Sequence, residues 1–167
     1  MIIKTPFMNL LMQYLIPVLY TVLFYFVQIE PRDGSYWQVI MLLGGFYVGN
    51  LFLWLDDKVL YGQYNELQTL PKRLVSRSIL FLLVYVALSI FMVTSVGNVF
   101  GVGIILGIGL SLSIEMWRAR DTIEQFHQQF LYQVKRQLSP LEVQRIAVGF
   151  LIYVSVIALY YLFTASR

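Results

Sequence analysis

The chain has no cysteine and one histidine, His127. Disulfides, thiolate metal sites and a cysteine nucleophile are therefore excluded, and a multi-histidine metal site cannot form within one chain. Charge is scarce too. Asp, Glu, Lys and Arg make up 13% of the 167 residues, against roughly 25% in ordinary soluble domains. No nucleophile–base pairing and no phosphate-cradling loop is legible. Gly101-x-Gly103-x-x-x-Gly107 has a passing likeness to a dinucleotide fingerprint, but its spacing is wrong by one residue and no strand precedes it. Asp56 and Asp57 are the nearest thing to a metal-holding carboxylate pair. Neighbours on a helix point about 100° apart, which makes joint ligation awkward. The expectation is no cofactor, no metal and no enzymatic activity.

What is present is apolar. Hydrophobic residues make up 59% of the chain, more than a soluble fold of this size can hide, whereas lipid can solvate them. A membrane helix needs about 20 mostly apolar residues, and five runs qualify: 7–27, 36–55, 78–96, 99–117 and 146–163. Only the fourth contains an ionisable residue, Glu115 near its end. Backbone polar groups in lipid must be satisfied internally, so each run is expected to be a helix. The first run, at 21 residues, is too long for a cleaved signal, whose apolar core is roughly 7–15 residues. The expected fold is an all-α integral membrane protein, residues 1–167 forming a single membrane domain.

Local signals mark the helix starts. Thr5-Pro6 places a capping residue before a proline at the first helical position. Ser35-Tyr36-Trp37-Gln38 fits a capping box, and Ser139-Pro140-Leu141-Glu142 combines both devices. Pro71 marks an early start for the third helix, and Pro17 is expected to kink the first.

The basic residues set direction. With five spans, the N-terminus and the segments 56–77 and 118–145 share one face, which carries Lys4, Lys58, Lys72, Arg73, Arg77, Arg118, Arg120, Lys135, Arg136 and Arg145. The other face carries only Arg32 and Arg167. Such a bias places the N-terminus in the cytoplasm and the C-terminus outside, in a multi-pass arrangement in the cell (inner) membrane. It also accounts for the net charge of +3 without nucleic acid. Tyr25, Tyr36, Trp37, Tyr160 and Tyr161 toward the outer ends, with Trp54 and Trp117 toward the inner ends, form an aromatic belt.

The fourth helix is short of side chain. Gly97/Gly101 and Gly103/Gly107/Ser111 make small-xxx-small tracks on one broad arc, with Gly109 and Ser113 opposite. The second helix adds Gly45-xxx-Gly49. Small residues let helix backbones approach, so the fourth helix is expected to be wedged between two neighbours, within the protomer or across a subunit boundary. The two later hairpins echo each other. Arg77 then Tyr85 and Arg145 then Tyr153 share an eight-residue spacing, consistent with a parallel repeat.

Beyond Trp117 the helical pattern continues to Leu138. Ala119, Ile123, Phe126, Phe130, Val134 and Leu138 recur at threes and fours. The fourth helix is therefore expected to extend into a cytoplasmic amphipathic helix projecting about 30 Å if straight. Its stripe needs a cover. Val59, Leu60, Tyr64 and Leu67 of the same chain could supply it, and Ile123, Phe126, Phe130 and Val134 are otherwise candidates for binding a partner. Glu115 is expected to pair with Arg118 one turn on, and Asp56 and Asp57 with Arg118 or Arg120, as interfacial ion pairs. His127 beside Glu124 reads as a solvated pair.

The function expected from these features is a small, non-catalytic integral membrane subunit. It would anchor partner subunits through its glycine-rich helices and its amphipathic helix. Its partners would be the lipid bilayer and a homo-oligomer or other membrane or cytoplasmic subunits. The alternative is an oligomeric channel or transporter for a small solute or ion, with Gln13, Asn50 and Thr94 on a polar route. A membrane enzyme using Asp56, Asp57, Glu66 or His127 is the third reading.

Overall fold

The computed structural model describes residues 6–27, 35–57, 75–95, 97–136 and 138–165. Among them there are six α-helices and no strand: α1 Pro6–Val27, α2 Ser35–Leu55, α3 Ile79–Ser95, α4 Val99–Ala119, α5 Ile123–Phe130 and α6 Pro140–Ala165. A single 3-10 turn, Val75–Arg77, precedes α3. Three helices are long and apolar enough to cross a membrane: Tyr36–Leu55, Val99–Ala119 and Pro140–Thr164. The protein is thus a helical bundle of membrane type. Two shorter apolar helices, Tyr14–Val27 and Ile79–Ser95, complete the apolar set.

The helix ends follow from local chemistry. Asn98 caps α4, its side chain accepting from the backbone N–H of Phe100 at 3.1 Å and Gly101 at 3.3 Å. Helices α3 and α4 follow each other across this cap and pack together. At α6 the capping box closes in both directions. Glu142 N–H donates to Ser139 Oγ at 3.3 Å, and Ser139 N–H donates to Glu142 Oε2 at 2.8 Å. Helix α1 runs through Pro17, whose carbonyl accepts from Thr21 Oγ1 at 2.6 Å. The expected cap at Thr5, the helix start near Pro71 and the cover from Val59, Leu60, Tyr64 and Leu67 lie outside the described residues.

Helix α4 is the spine. In its apolar window 67% of residues are buried, against 28% in α2 and 22% in α6. Its broadest contact is with α2, and α1, α3 and α6 also lie against it. Two clusters form the core. One, at the end of α4 away from its start, joins Leu53, Tyr85, Leu112, Met116, Ala119, Phe126, Phe130, Val143 and Ala147. The other joins Phe24, Leu42, Phe46, Val102, Leu106, Tyr161 and Leu162 toward the start of α4. There Tyr20 donates its hydroxyl to the Ala158 carbonyl at 2.7 Å, and Phe24 stacks on Tyr161 with ring centroids 5.7 Å apart. These two contacts fasten α1 to α6.

The fourth helix does not continue as a straight amphipathic rod. It ends at Ala119, Arg120 and Asp121 form a turn, and Thr122 adopts extended backbone before the eight-residue α5. The cause is the stripe itself. Folding back at Arg120–Thr122 lets Phe126 and Phe130 bury completely in the same cluster as Ala119, Val143 and Ala147. A straight extension would leave both rings in water.

Candidate functional site at the charged end of the bundle

Every charged side chain among the described residues lies at one end of the bundle. There α2 and α4 finish, α3 and α6 begin, and the residues from Arg120 to Ser139 connect them. The end is built around Arg77. The 3-10 turn directs this side chain inward, with 7% of the residue exposed. Its Nε and Nη2 donate to the two carboxylate oxygens of Glu115 on α4 at 2.5 and 2.7 Å. This two-pronged geometry is the strong form of an Arg–carboxylate bond. Burial on its own would depress the Arg77 pKa. The Glu115 hydrogen bonds and charge, with Asp57 and Asp56 adding to them, outweigh that and leave it above the ordinary value.

The preceding residue makes a second tie. Asp56, at the end of α2, accepts from the backbone N–H of Ser76 at 2.9 Å and from the Ser76 hydroxyl. A hydroxyl beside a carboxylate has the ingredients of a nucleophile and a base. Here Ser76 and Asp56 are 2% and 4% exposed, and one carboxylate oxygen takes both bonds. The pair is an anchor that fixes the turn to α2. Two tethers thus join three elements at the charged end: Asp56 to Ser76, and Arg77 to Glu115.

The expected ion pairs are redistributed. Glu115 makes its direct pair with Arg77 and acts on Arg118 only through space. Asp56 is held by Ser76, and Arg120 pairs with Asp121 at 3.5 Å while its guanidinium lies 3.3 Å from the centre of the Trp117 ring. Asp57 acts electrostatically on Arg77. The reason is reach: a residue 38 positions away offers Glu115 a buried two-bond partner, which beats a half-solvated neighbour one turn on. His127 Nε2 lies 3.1 Å from the Arg136 carbonyl, tying α5 to the connection before α6. Arg136 in turn donates to Glu142 at 3.0 Å.

The partner-binding candidates are occupied by the chain itself. Phe126 and Phe130 are fully buried with ring centroids 5.3 Å apart, and Ile123 and Val134 pack partly buried on the same cluster. None of the four forms an open stripe.

The small residues divide among three neighbours. A Cβ on Gly45 would lie 2.9 Å from the Cα of Gly103, and one on Gly107 would lie 2.9 Å from the Cα of Phe46. Gly49 faces the backbone of α4 at Ile104 and Ile108. So Gly45, Gly49, Gly103 and Gly107 bring α2 and α4 together backbone to backbone. Ser111 extends the contact by donating its hydroxyl to Asn50 Oδ1. Gly109 lies on the other side, where a Cβ would come within 3.1 Å of Val154 Cγ2 and would also meet Tyr85. Gly101 faces the methyl end of Met92, and Gly97 faces open space.

Sequence reasoning named Asn50 and Arg77 but did not foresee how their donors are placed. Among the described residues, Asn50 Nδ2 and Arg77 Nη1 are buried with no hydrogen-bond partner. It also missed the network of α3 and α6. Tyr85 donates to the Ile105 carbonyl at 3.1 Å, Tyr153 donates to the Val86 carbonyl at 3.0 Å, and the Tyr153 and Ser89 hydroxyls lie 2.5 Å apart. The two tyrosines of the echoed hairpins thus bond neighbouring backbones alike, whereas Arg77 is buried and Arg145 exposed. The eight-residue spacing hinted at the tyrosines, but nothing local identified their acceptors.

No family model, no curated protein and no solved structure matches the chain.

Proposed function

We propose that the chain is a small, non-catalytic subunit of an inner-membrane complex, crossing the bilayer five times with its charged end in the cytoplasm. Helices α1 and α3 supply the two crossings beyond the three long ones. At 17 residues, α3 measures about 26 Å, close to the hydrocarbon thickness. The gathering of charge at one end supports one orientation for all the helices, and the positive-inside bias supports which one.

The observation that carries the subunit reading is the close approach of α2 and α4. Gly103 and Gly107 touch backbone, so glycine here removes space. A conduit along α4 would need that space open. The same approach makes the bundle a preassembled unit whose remaining surface is apolar: Leu19 on α1, Leu83 on α3 and Ile152 on α6 all face outward. Partners would meet these outward faces. Gly45, Gly49, Gly103 and Gly107 and the α5 stripe are spent within the chain.

Photo-crosslinking amino acids at Leu19, Leu83 and Ile152 test the reading in native membranes. The expected result is a discrete protein adduct from at least one face, and no solute flux above background when the purified chain is placed in liposomes. Lipid adducts alone from all three faces, with a monomer in mild detergent, would contradict the subunit reading. Flux abolished by Gly107→Leu would replace it with the channel.

A further inference from the structure

Among the described residues, two arginines at the charged end make no direct ion pair and feel a carboxylate only through space, Arg118 that of Glu115 and Arg145 that of Glu142. Arg118 lies in the last turn of α4 and Arg145 in the second turn of α6, and both are exposed. Each has a carboxylate three residues before it on its own helix, the spacing of an intrahelical pair. Both carboxylates make their direct bonds elsewhere. Glu115 gives its two oxygens to Arg77. Glu142 gives Oε1 to Arg136 at 3.0 Å and Oε2 to the Ser139 N–H at 2.8 Å. Arg120 and Arg136 each have a carboxylate, Asp121 and Glu142.

The two exposed guanidinium groups belong to the same end of the bundle. Trp117, exposed beside Arg118, and Ile146, exposed beside Arg145, open the apolar surface of their helices. The helices meet there through Met116, Ala119, Val143 and Ala147. A guanidinium at the edge of hydrocarbon, with its nearest carboxylate bonded elsewhere and acting on it only through space, draws further counter-charge from the membrane surface. The concentrated source there is phospholipid phosphate, whose oxygens match the guanidinium fork. We infer that Arg118 and Arg145 bind the phosphate groups of anionic phospholipids in the leaflet at the charged end. Trp117 sits among the same headgroups, as interfacial tryptophans do. The inference is independent of the subunit reading and of which compartment this end faces.

Native mass spectrometry of the full chain, with phosphatidylglycerol or phosphatidylcholine added to the detergent, tests it. The wild type is expected to retain phosphatidylglycerol in preference to phosphatidylcholine. Arg118→Gln and Arg145→Gln each cut that preference about fivefold. The lysine variants keep most of it, and Lys135→Gln, an exposed cation away from the helix ends, leaves it unchanged. Equal retention of the two lipids by the wild type would overturn the inference. So would a double glutamine variant, folded as judged by its melting in phosphatidylcholine, that keeps the full preference. Displacement of phosphatidylglycerol by millimolar inorganic phosphate would overturn the lipid as the ligand. Should the double variant fail to fold, the wild-type comparison and the single variants still decide.

Discussion

Arg77 shows what a single residue does in this fold. It enters from a 3-10 turn and closes on a carboxylate of the central helix, at 9% side-chain exposure for Arg77 and 29% for Glu115. Removing one partner of a buried pair leaves the other charge uncompensated. Arg77→Met is expected to lower unfolding stability in detergent by about 3 kcal/mol, and the double variant Arg77→Met with Glu115→Leu to recover most of the loss. A loss under half that size in Arg77→Met would show the pair to be a solvated surface contact. Helix capping gives a smaller local effect. Ser139→Ala removes one half of the α6 capping box and is expected to cost about 1 kcal/mol, read as a lowered melting temperature. Ser139 and Glu142 were legible because both halves of that motif lie within four residues. Arg77 was not. Its partner is distant in sequence, and the spacing of Glu115 and Arg118 offers a plausible local alternative that only the packed structure rejects.

At the scale of elements, the contact of α2 and α4 rests on glycine as absent volume. Adding a methyl at Gly45, Gly103 or Gly107 drives it into backbone, which cannot move as the end of a side chain can. Alanine at each is expected to cost about 1–3 kcal/mol. Gly149 faces open space, so Gly149→Ala is expected to be neutral or stabilising. Thermal unfolding of the four variants in one detergent checks the order, and a Gly149→Ala loss matching that of Gly103→Ala would refute it. The glycine spacings were visible in sequence, and the arc they occupy was computable. Which helix each arc meets was not, because periodicity gives an angle without a neighbour. The stripe of Phe126 and Phe130 carries the same lesson. Its periodicity was legible, while the break at Arg120–Thr122 was not, since no proline or glycine marks it. Phe126→Ala is expected to cost about 3–5 kcal/mol, because the ring is fully buried against Val143 and Ala147. A docking residue would instead release a partner and leave stability intact.

For the whole molecule, the central claim is that apolar helices thread one bilayer five times and collect the charged connections on one side. Composition made the membrane class plain, and the apolar runs foretold the helices, except that α6 begins at Pro140, ahead of its run at 146, where the Ser139-Pro140 cap marked it. The arrangement around α4 came from packing between residues far apart in the chain. The absence of cysteine makes the claim open to a direct measurement. Single cysteines at Gly97, Gln125 and Gln133 are reacted with a membrane-impermeant maleimide in intact cells and again after permeabilisation. All three sites are exposed in the structure. Labelling of Gly97→Cys in intact cells, with Gln125→Cys and Gln133→Cys reacting only once the membrane is opened, is the predicted result. Labelling of all three from the outside, or of Gln125→Cys and Gln133→Cys alone in intact cells, would contradict it.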